Sequence, residues 1–337
     1  MTPEGTIHGQ MPQCKAMPAG MPDVSPMLAE TCPGPFDDSD WLYEIKWDGY
    51  RCLLYIKDSD IFLRSRNGNS LNSRFPRLES IVHSVRHSKA TNLIVDGEIV
   101  AFRNGSPSFS YLKANPDSAV YVAFDLVYLN GQFLIQMPLV KRRDLLLELF
   151  SWEGIISYSE SHSGKGSVLF NFALERDLEG VMAKRKDSLY FPGKRTHNWL
   201  KIRNFKEEEF WVLGYLPSPG REIGSLVVGR EVQHKASSAL PTGTRLALPH
   251  TGSKDRRFTV VGRVSSGLNT EMENEFLAAF GLLKDTKELC IQGKLPKNLL
   301  RSVRWIEPYF GVQVQYTEVT PEGSLRHPVL RGIVGMQ

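Results

Sequence analysis

A single lysine lies where a strand is expected to end, and its surroundings decide whether it can act as a nucleophile. Residues 44–51 read Glu-Ile-Lys-Trp-Asp-Gly-Tyr-Arg and are flanked by apolar stretches on both sides. Asp48-Gly49 favours a turn, which would leave Lys46 half-buried at the strand end. Burial beside other cations lowers the pKa of a lysine, and an uncharged amine is a nucleophile. A hairpin that carries a solvated lysine is the alternative interpretation of this segment taken alone.

Five further segments follow Lys46 in a fixed order, and each joins a charged residue to a glycine or an aromatic residue. They read Ser-Arg-Asn-Gly at 65–68, Asp-Gly-Glu at 96–98, Phe-Asp at 124–125, Glu-Gly-Val-Met-Ala-Lys at 179–184 and Trp-Leu-Lys-Ile-Arg at 199–203. The ordered set resembles the nucleotidyltransferase motifs of ATP-dependent DNA ligases, and most closely the ligase module of bacterial non-homologous end-joining ligases. The resemblance runs from about residue 26 almost to the C-terminus.

This resemblance implies an ATP site in which Lys46 becomes covalently linked to AMP and Lys201 is a second catalytic residue. It implies nucleotide contacts from Glu44, Ile45, Arg51, Arg66, Glu98, Phe124, Lys184 and Lys201. Phe124 would stack on the adenine ring, and Arg51 and Arg66 would grip the ribose or a terminal phosphate through their forked donors. By composition alone a core phenylalanine is the commoner case, and solvated lysines or a turn arginine without a ligand are ordinary alternatives.

Carboxylates in apolar strands are the candidate metal ligands. Glu98 interrupts the strand predicted over residues 92–102, where an ionised acid costs free energy unless it is paired, hydrogen-bonded or bound to a metal. Glu98 is therefore expected to bind ribose hydroxyls or a metal ion, and Glu179 is the second metal candidate. Hard oxygen ligands favour Mg²⁺, or Mn²⁺. Glu44 shares a strand face with Lys46 and would accept a hydrogen bond from the adenine amino group or from the ribose. A cross-strand ion pair of Glu44 is the equally expected alternative.

Composition and charge limit the classes of protein to which the chain can belong. With 337 residues, 41% of them apolar, the chain is long enough for two cores. The net charge is only +4, but residues 184–206 hold eight lysines and arginines against one acid, which suits a polyphosphate or a nucleic-acid backbone. A solvated basic face is the alternative. No Cys-x-x-Cys spacing and no long apolar run occur, so a reducing cytoplasmic location without a membrane span is expected.

The predicted fold class is α+β with two domains. Residues 1–24 are expected to be a flexible extension outside the folded core, and residues 25–206 an adenylation (nucleotidyltransferase) domain of antiparallel sheets with flanking helices. Helices are predicted over residues 75–86, 138–150 and 168–176. Residues 207–337 are expected to form a smaller OB-fold β-barrel. Its strands are predicted at 210–215, 225–228, 259–264, 302–306 and 312–317, with a helix at 271–283.

The second domain is expected to contact nucleic acid. The basic side chains that would provide its surface are Arg230, Lys254, Arg256, Arg257 and Arg263. The resemblance to ATP-dependent DNA ligases implies duplex DNA with nicks or ends as the substrate and a Ku-like end-binding protein as a partner. A monomer is the expected state. The resembled family usually ends in an Arg-x-Asp-Lys string that orients the departing pyrophosphate, and residues 332–337 read Gly-Ile-Val-Gly-Met-Gln instead. An RNA ligase, a capping guanylyltransferase and a catalytically weakened nucleic-acid-binding module are the alternative functions.

Overall fold

The chain divides into two compact units, Met1–Asn204 and Phe205–Gln337. The computed structural model describes residues 15–86, 90–232, 256–282, 290–292, 302–320 and 322–335. Both units combine β-sheets with a few helices, so the predicted α+β class is confirmed. In these ranges no helix is both long and apolar enough to cross a membrane.

Thirteen strands and three α-helices lie in the described residues of the first unit, 15–86 and 90–204. The strands are β1 (Leu28–Thr31), β2 (Trp41–Ile45), β3 (Tyr50–Lys57), β4 (Asp60–Ser65), β5 (Asn92–Val100), β6 (Phe102–Arg103), β7 (Ser106–Pro107), β8 (Val120–Leu129), β9 (Gln132–Phe133), β10 (Ile156–Tyr158), β11 (His162–Ser163), β12 (Gly180–Arg185) and β13 (Arg195–Arg203). The α-helices are α1 (Phe109–Ala114), α2 (Leu139–Leu149) and α3 (Gly166–Glu175), and two 3₁₀ helices cover Pro76–Ser84 and Pro116–Ser118.

Two large sheets carry the first unit. The five-stranded sheet has the order β1-β13-β12-β2-β11, and the six-stranded sheet has the order β10-β8-β5-β3-β4 with β9 added to β8. Phe124 and Leu53 of the second sheet share one apolar cluster with Trp199 of the first. The opposite face of the six-stranded sheet packs on the segment Pro76–Ser84 and on α2. Because both its faces are covered, β3 is buried over most of its length instead of alternating between core and solvent.

The helices predicted in this unit are present, with one change of type. The segment predicted as an amphipathic helix over residues 75–86 is a 3₁₀ helix over Pro76–Ser84. Its buried residues Phe75, Leu78 and Ile81 recur every third residue, which fits three residues per turn. Helix α2 buries Leu146 and Leu149, and Leu145 is partly buried. Arg142 and Arg143 are buried as well, which the apolar pattern did not indicate.

The N-terminal segment corrects one prediction. Residues 1–24 were expected to lie outside the folded core, but Met21 and Val24 are 7% and 3% exposed and pack beside Tyr55 and Phe62. Arg64 forms an ion pair with Asp23 at 2.8 Å. Met17, Met21 and Met27 all belong to or pack against the apolar cluster between the sheets, where flexible methionine side chains fill gaps. Residues 1–14 lie outside the described part of the chain.

In its described residues, the second unit contains a seven-stranded sheet, a two-stranded sheet and one α-helix. Its strands are β14 (Lys206–Ser218), β15 (Arg221–Glu231), β16 (Arg257–Val264), β17 (Cys290–Gln292), β18 (Arg304–Trp305), β19 (Gly311–Tyr316), β20 (Glu318–Val319), β21 (Leu325–Arg326) and β22 (Val329–Val334). The seven-stranded sheet has the order β17-β16-β15-β14-β19-β22 with β18 paired to β14, and β20 and β21 form the two-stranded sheet. Helix α4 (Thr270–Leu282) places Phe276 in the core between the strands. All five predicted strands and the predicted helix are therefore present.

Candidate active site

Lys46 directly follows β2 and lies beside a carboxylate. Its backbone N–H donates to the carbonyl of Gly180 at 2.9 Å, and its Nζ forms an ion pair with Glu179. The Lys46 side chain is only 18% exposed, so the solvated lysine is not what the structure shows. The turn after it does not close a hairpin, because β2 and β3 belong to different sheets. Gly49 is needed there, since a Cβ would overlap the carbonyl oxygen of Ile99.

One cleft in the first unit brings together nine of the ten residues predicted for the site. The predicted residues that line the cleft are Glu44, Ile45, Lys46, Arg51, Arg66, Glu98, Phe124, Lys184 and Lys201. The tenth, Glu179, contacts Lys46. These residues come from both large sheets, so the cleft lies where the sheets approach each other. The roles of the individual side chains stay predictions, but their convergence is a geometric fact.

Arg51 is held by a buried carboxylate. Its Nε and Nη2 donate to the two oxygens of Asp96 at 2.6 and 2.7 Å, and Asp96 is fully buried. Tyr190 donates its hydroxyl to the same carboxylate at 2.6 Å. The guanidinium carbon of Arg51 lies 4.5 Å from the ring centre of Phe124. The forked donors that we expected to grip ribose or phosphate therefore grip Asp96, and Arg51 also packs on the wall of the cleft.

Glu44 is part of a buried group of charges. One of its oxygens accepts from Arg143 Nη1 at 3.1 Å, and the other forms an ion pair with Lys184. The alternative in which Glu44 makes an ion pair is thus the one observed. Burial lowers the pKa of Lys184, although the charge of Glu44 acts in the opposite direction. The ammonium of Lys184 lies 4.1 Å from the ring centre of Phe124, so that ring contacts cations where adenine stacking was predicted.

Glu98 has the environment of a ligand-binding carboxylate. Within the described ranges its carboxylate forms no hydrogen bond or ion pair, and Glu98 lines the cleft. Burial raises its pKa to about 8, against the positive charges of Arg51 and Lys46 and together with the negative charges of Glu179 and Asp96. A bound cation would favour its ionised form. No group of three or more His, Cys, Asp or Glu side chains in the described residues could hold a metal, so a cation here would need ligand oxygens from a substrate or water.

Positive charge also collects in the cleft. Burial lowers the pKa of Lys201, and the neighbouring charges of Arg203, Arg195, Lys46 and Arg66 lower it further. Arg66 is exposed, and none of its side-chain atoms makes a hydrogen bond with a described residue. Cations that gather without enough acids to neutralise them favour an anionic ligand. The cleft therefore offers an aromatic and apolar wall, a carboxylate and a cationic rim, which together suit a nucleoside polyphosphate.

Two regions of the chain match the family models of one enzyme class. Residues 26–203 match the ATP dependent DNA ligase domain, and residues 242–334 match the ATP dependent DNA ligase C terminal region. The chain belongs to the ATP-dependent DNA ligase family. The predicted resemblance to this family and the fold class that it implied, an adenylation domain followed by an OB-fold domain, are confirmed.

Individual ligases match at moderate identity. The chain is 31% identical over 322 residues to the multifunctional non-homologous end joining DNA repair protein LigD of Mycobacterium tuberculosis. The aligned region covers 92% of this chain and 38% of LigD. It is 35% identical over 199 residues to the SPbeta prophage-derived DNA ligase-like protein LigB of Bacillus subtilis, covering 57% of this chain and 72% of LigB. Among solved structures, mycobacterial DNA ligase D complexed with ATP and MES superposes on this chain with a TM-score of 0.52 and shares 29% sequence identity with it. The match covers 93% of this chain and 96% of that one. The chain thus spans about 38% of the length of its LigD relatives.

Several residues of this ligase cleft were missed by the sequence analysis. Those that line it without having been predicted are Pro26, Met27, Leu28, Ala29, Trp47, Met182, Arg195 and Arg203. The alternation of β13 placed Arg203 on the same strand face as Lys201, so its position was available from the sequence. Asp96 was also visible as an acid in an apolar strand. Nothing in the sequence indicated that Met27 lines the cleft, because its position depends on how the N-terminal segment folds back.

The C-terminal segment, where this chain differs from the ligase family, contains short β-strands. Leu325–Arg326 forms β21, and Arg326 makes an ion pair with Glu318 at 2.6 Å. Strand β22 (Val329–Val334) pairs with β19 and includes the first residues of the segment 332–337, which lacks the Arg-x-Asp-Lys string of the family. Of the basic residues predicted for the second unit, Arg230 and Arg256 form ion pairs with Glu208 and Glu231, and Arg257 and Arg263 are exposed. The predicted Lys254 lies outside the described residues.

Proposed function

We propose that the chain is the catalytic ligase module of an ATP-dependent DNA ligase, and that Lys46 is its nucleophile. The observation that carries this proposal is the position of the Lys46 amine, half-buried against Glu179 in a cleft with eight of the other predicted residues. The substrate is duplex DNA with nicks or ends. ATP use is supported by the family and by the ATP-bound relative of 29% identity.

The first step forms a bond between Lys46 Nζ and the α-phosphorus of ATP, and the bond from that phosphorus to pyrophosphate breaks. The ammonium must first lose a proton, and Glu179, which contacts Nζ, is the nearest acceptor. Lys201, Arg203 and Arg66 at the cationic rim would stabilise the charge that develops on the phosphate oxygens.

The next two steps transfer AMP and close the backbone. An oxygen of the 5′-phosphate at the nick attacks the AMP phosphorus, and the amine of Lys46 leaves and takes up a proton. The 3′-hydroxyl then attacks the 5′-phosphorus and releases AMP, giving a phosphodiester. The adenine would lie against Phe124, whose ring forms the wall of the cleft.

Glu98 and Glu179 would hold a magnesium ion. The environment of Glu98 supports this role, because its carboxyl has no partner among the described residues and its pKa of about 8 falls when a cation binds. Two carboxylates with phosphate and water oxygens are a usual ligand set for Mg²⁺. When bound, the ion would neutralise negative charge on the phosphates.

A role in double-strand break repair follows from the relatives alone. The LigD proteins are named as end-joining repair proteins, and the chain matches 38% of the length of the Mycobacterium tuberculosis protein. We propose the same process here, with a Ku-like protein bringing the ligase to DNA ends. A cytoplasmic location and a monomeric state stay predictions.

Intact mass spectrometry tests the nucleophile directly. The purified chain incubated with ATP and magnesium should gain the mass of one adenylyl group, and peptide mapping should place it on Lys46. The variant Lys46→Ala should gain nothing and should seal no nicked DNA, whereas the matched variant Lys165→Ala, which alters an exposed lysine, should behave like the wild type. Sealing by Lys46→Ala at the wild-type rate would refute the proposal, and GTP used as well as ATP would favour a capping-type enzyme. DNA binding without any adenylylation of the wild type would identify a weakened binding module.

A further inference from the structure

One buried arginine outside the cleft joins three chain segments behind it. Arg143, on α2, is 3% exposed. Its Nη1 donates to Glu44 Oε2 at 3.1 Å and to the carbonyl of Phe124 at 2.9 Å, and its Nη2 donates to the carbonyl of Ser159 at 2.5 Å. A single guanidinium therefore fixes β2, β8 and the segment after β10 relative to one another.

Each of these contacts leads to a residue that lines the cleft. Glu44 lies two residues before Lys46, and its second oxygen holds Lys184. Ser159 accepts a hydrogen bond at its Oγ from the indole N–H of Trp47, at 3.0 Å, and Trp47 directly follows Lys46. Arg143 thus reaches both flanks of the candidate nucleophile without touching the cleft itself.

The chemistry of this position requires a guanidinium. Arginine has five donors in a planar fork, and here they serve a carboxylate and two carbonyls that lie in different directions. A lysine at the same place would bring one ammonium at the end of a flexible chain, and it could not reach all three acceptors with good geometry. Buried polar networks that lose one member leave unsatisfied groups, which rearrange to find new partners.

We propose that Arg143 is a positioning residue for the nucleotide. It keeps Glu44, Phe124 and Trp47 in the places where they form the wall of the cleft, so the wall is preorganised before ATP arrives. Without it, part of the binding free energy of ATP is used to order that wall. The loss appears mainly in the affinity for ATP, because Lys46 retains its own contact with Glu179. This inference rests on the proposed function, since it assumes that the cleft binds ATP.

The test compares two neighbouring buried arginines. Arg142 is fully buried on the same helix and binds Asp125 through two hydrogen bonds of 2.8 Å, but neither residue lines the cleft. In self-adenylylation assays, Arg143→Lys should raise the KM for ATP about tenfold and lower kcat less than about threefold. Arg142→Lys should lose at least as much thermal stability while its KM for ATP stays within about twofold of the wild type.

The outcomes separate this inference from the proposed function. A wild type that takes up no AMP refutes the proposed function, whatever the variants do. A wild type that is adenylylated, together with equal KM values for both arginine variants, overturns the positioning role. If Arg143→Lys does not fold, Ser159→Ala tests the positioning role instead, because it removes only the hydroxyl that accepts the hydrogen bond from the Trp47 indole. It should raise the KM for ATP about threefold, and an unchanged KM in a folded variant would overturn the proposal.

Discussion

The ion pair between buried Asp96 and half-buried Arg51 provides the most direct test of how the cleft is held. Asp96 is fully buried and accepts two hydrogen bonds from Arg51 and one from Tyr190, and Arg51 in turn contacts the ring of Phe124. Asp96→Asn keeps the shape of the side chain but removes its charge, and it turns one acceptor into a donor that faces the N–H groups of Arg51. The change therefore leaves the half-buried guanidinium of Arg51 without its counter-charge.

The structure sets the size of the expected effect. Removing one partner of a buried ion pair costs about 3–5 kcal/mol, and the remaining carbonyl acceptor of asparagine places this variant at the lower end. For a unit of about 200 residues, a loss of about 3 kcal/mol lowers Tm by about 6–12 °C. Arg51 also lies 4.5 Å from the ring centre of Phe124. Disturbing that contact removes about 1 kcal/mol, so the affinity for ATP should fall about fivefold.

Urea denaturation and equilibrium ATP binding measure the two effects separately. The matched control is Asp125→Asn, because Asp125 is equally buried and also accepts two hydrogen bonds from an arginine, Arg142, away from the cleft. The control should lose a similar free energy of unfolding and keep its ATP affinity. An Asp96→Asn protein as stable as the wild type would show that the pair is not desolvated as the structure indicates. Equal losses of ATP affinity in both variants would show that the Arg51 contact has no specific part in binding.

Three further predictions concern single groups of the first unit. Tyr190→Phe removes the hydroxyl that donates to Asp96, so the free energy of unfolding in urea should fall by about 1–2 kcal/mol; an unchanged value would mean that this hydrogen bond contributes nothing. The folded chain binds a proton at Glu98 more tightly than the unfolded chain, because its pKa rises from 4.5 to about 8. Without magnesium, the contribution of Glu98 to stability should therefore fall as pH rises from about 4.5 to about 8, and urea titrations of Glu98→Gln should lack this component. The same slope in that variant would assign the effect to another group. Gly49→Ala should yield little folded protein by circular dichroism, because a Cβ would overlap the carbonyl of Ile99, and a normal spectrum would contradict this close approach.

Motif order and periodicity determine much of the site from the sequence alone. Lys46, Glu98, Phe124, Lys184 and Lys201 were singled out from their residue types and from a resemblance that needs only their order along the chain, and all five line one cleft. Strand and helix periods located most elements, because a period follows from local geometry that each stretch of sequence carries with it. The family, the fold class and the location of the site were thus accessible from residue patterns.

The partners of the charged residues were decided only by the tertiary structure. Glu44 and Arg143 lie 99 positions apart, and Tyr190 reaches Asp96 across 94 positions, so no local pattern links them. The pair Asp48-Gly49 has the sequence of a hairpin turn, yet the chain there passes from one sheet to another. Local sequence fixes which groups are charged and which face they occupy, but a buried charge takes whichever partner the packing of distant strands brings within reach. The choice between a nucleotide contact and an ion pair for Glu44 therefore belonged to the fold.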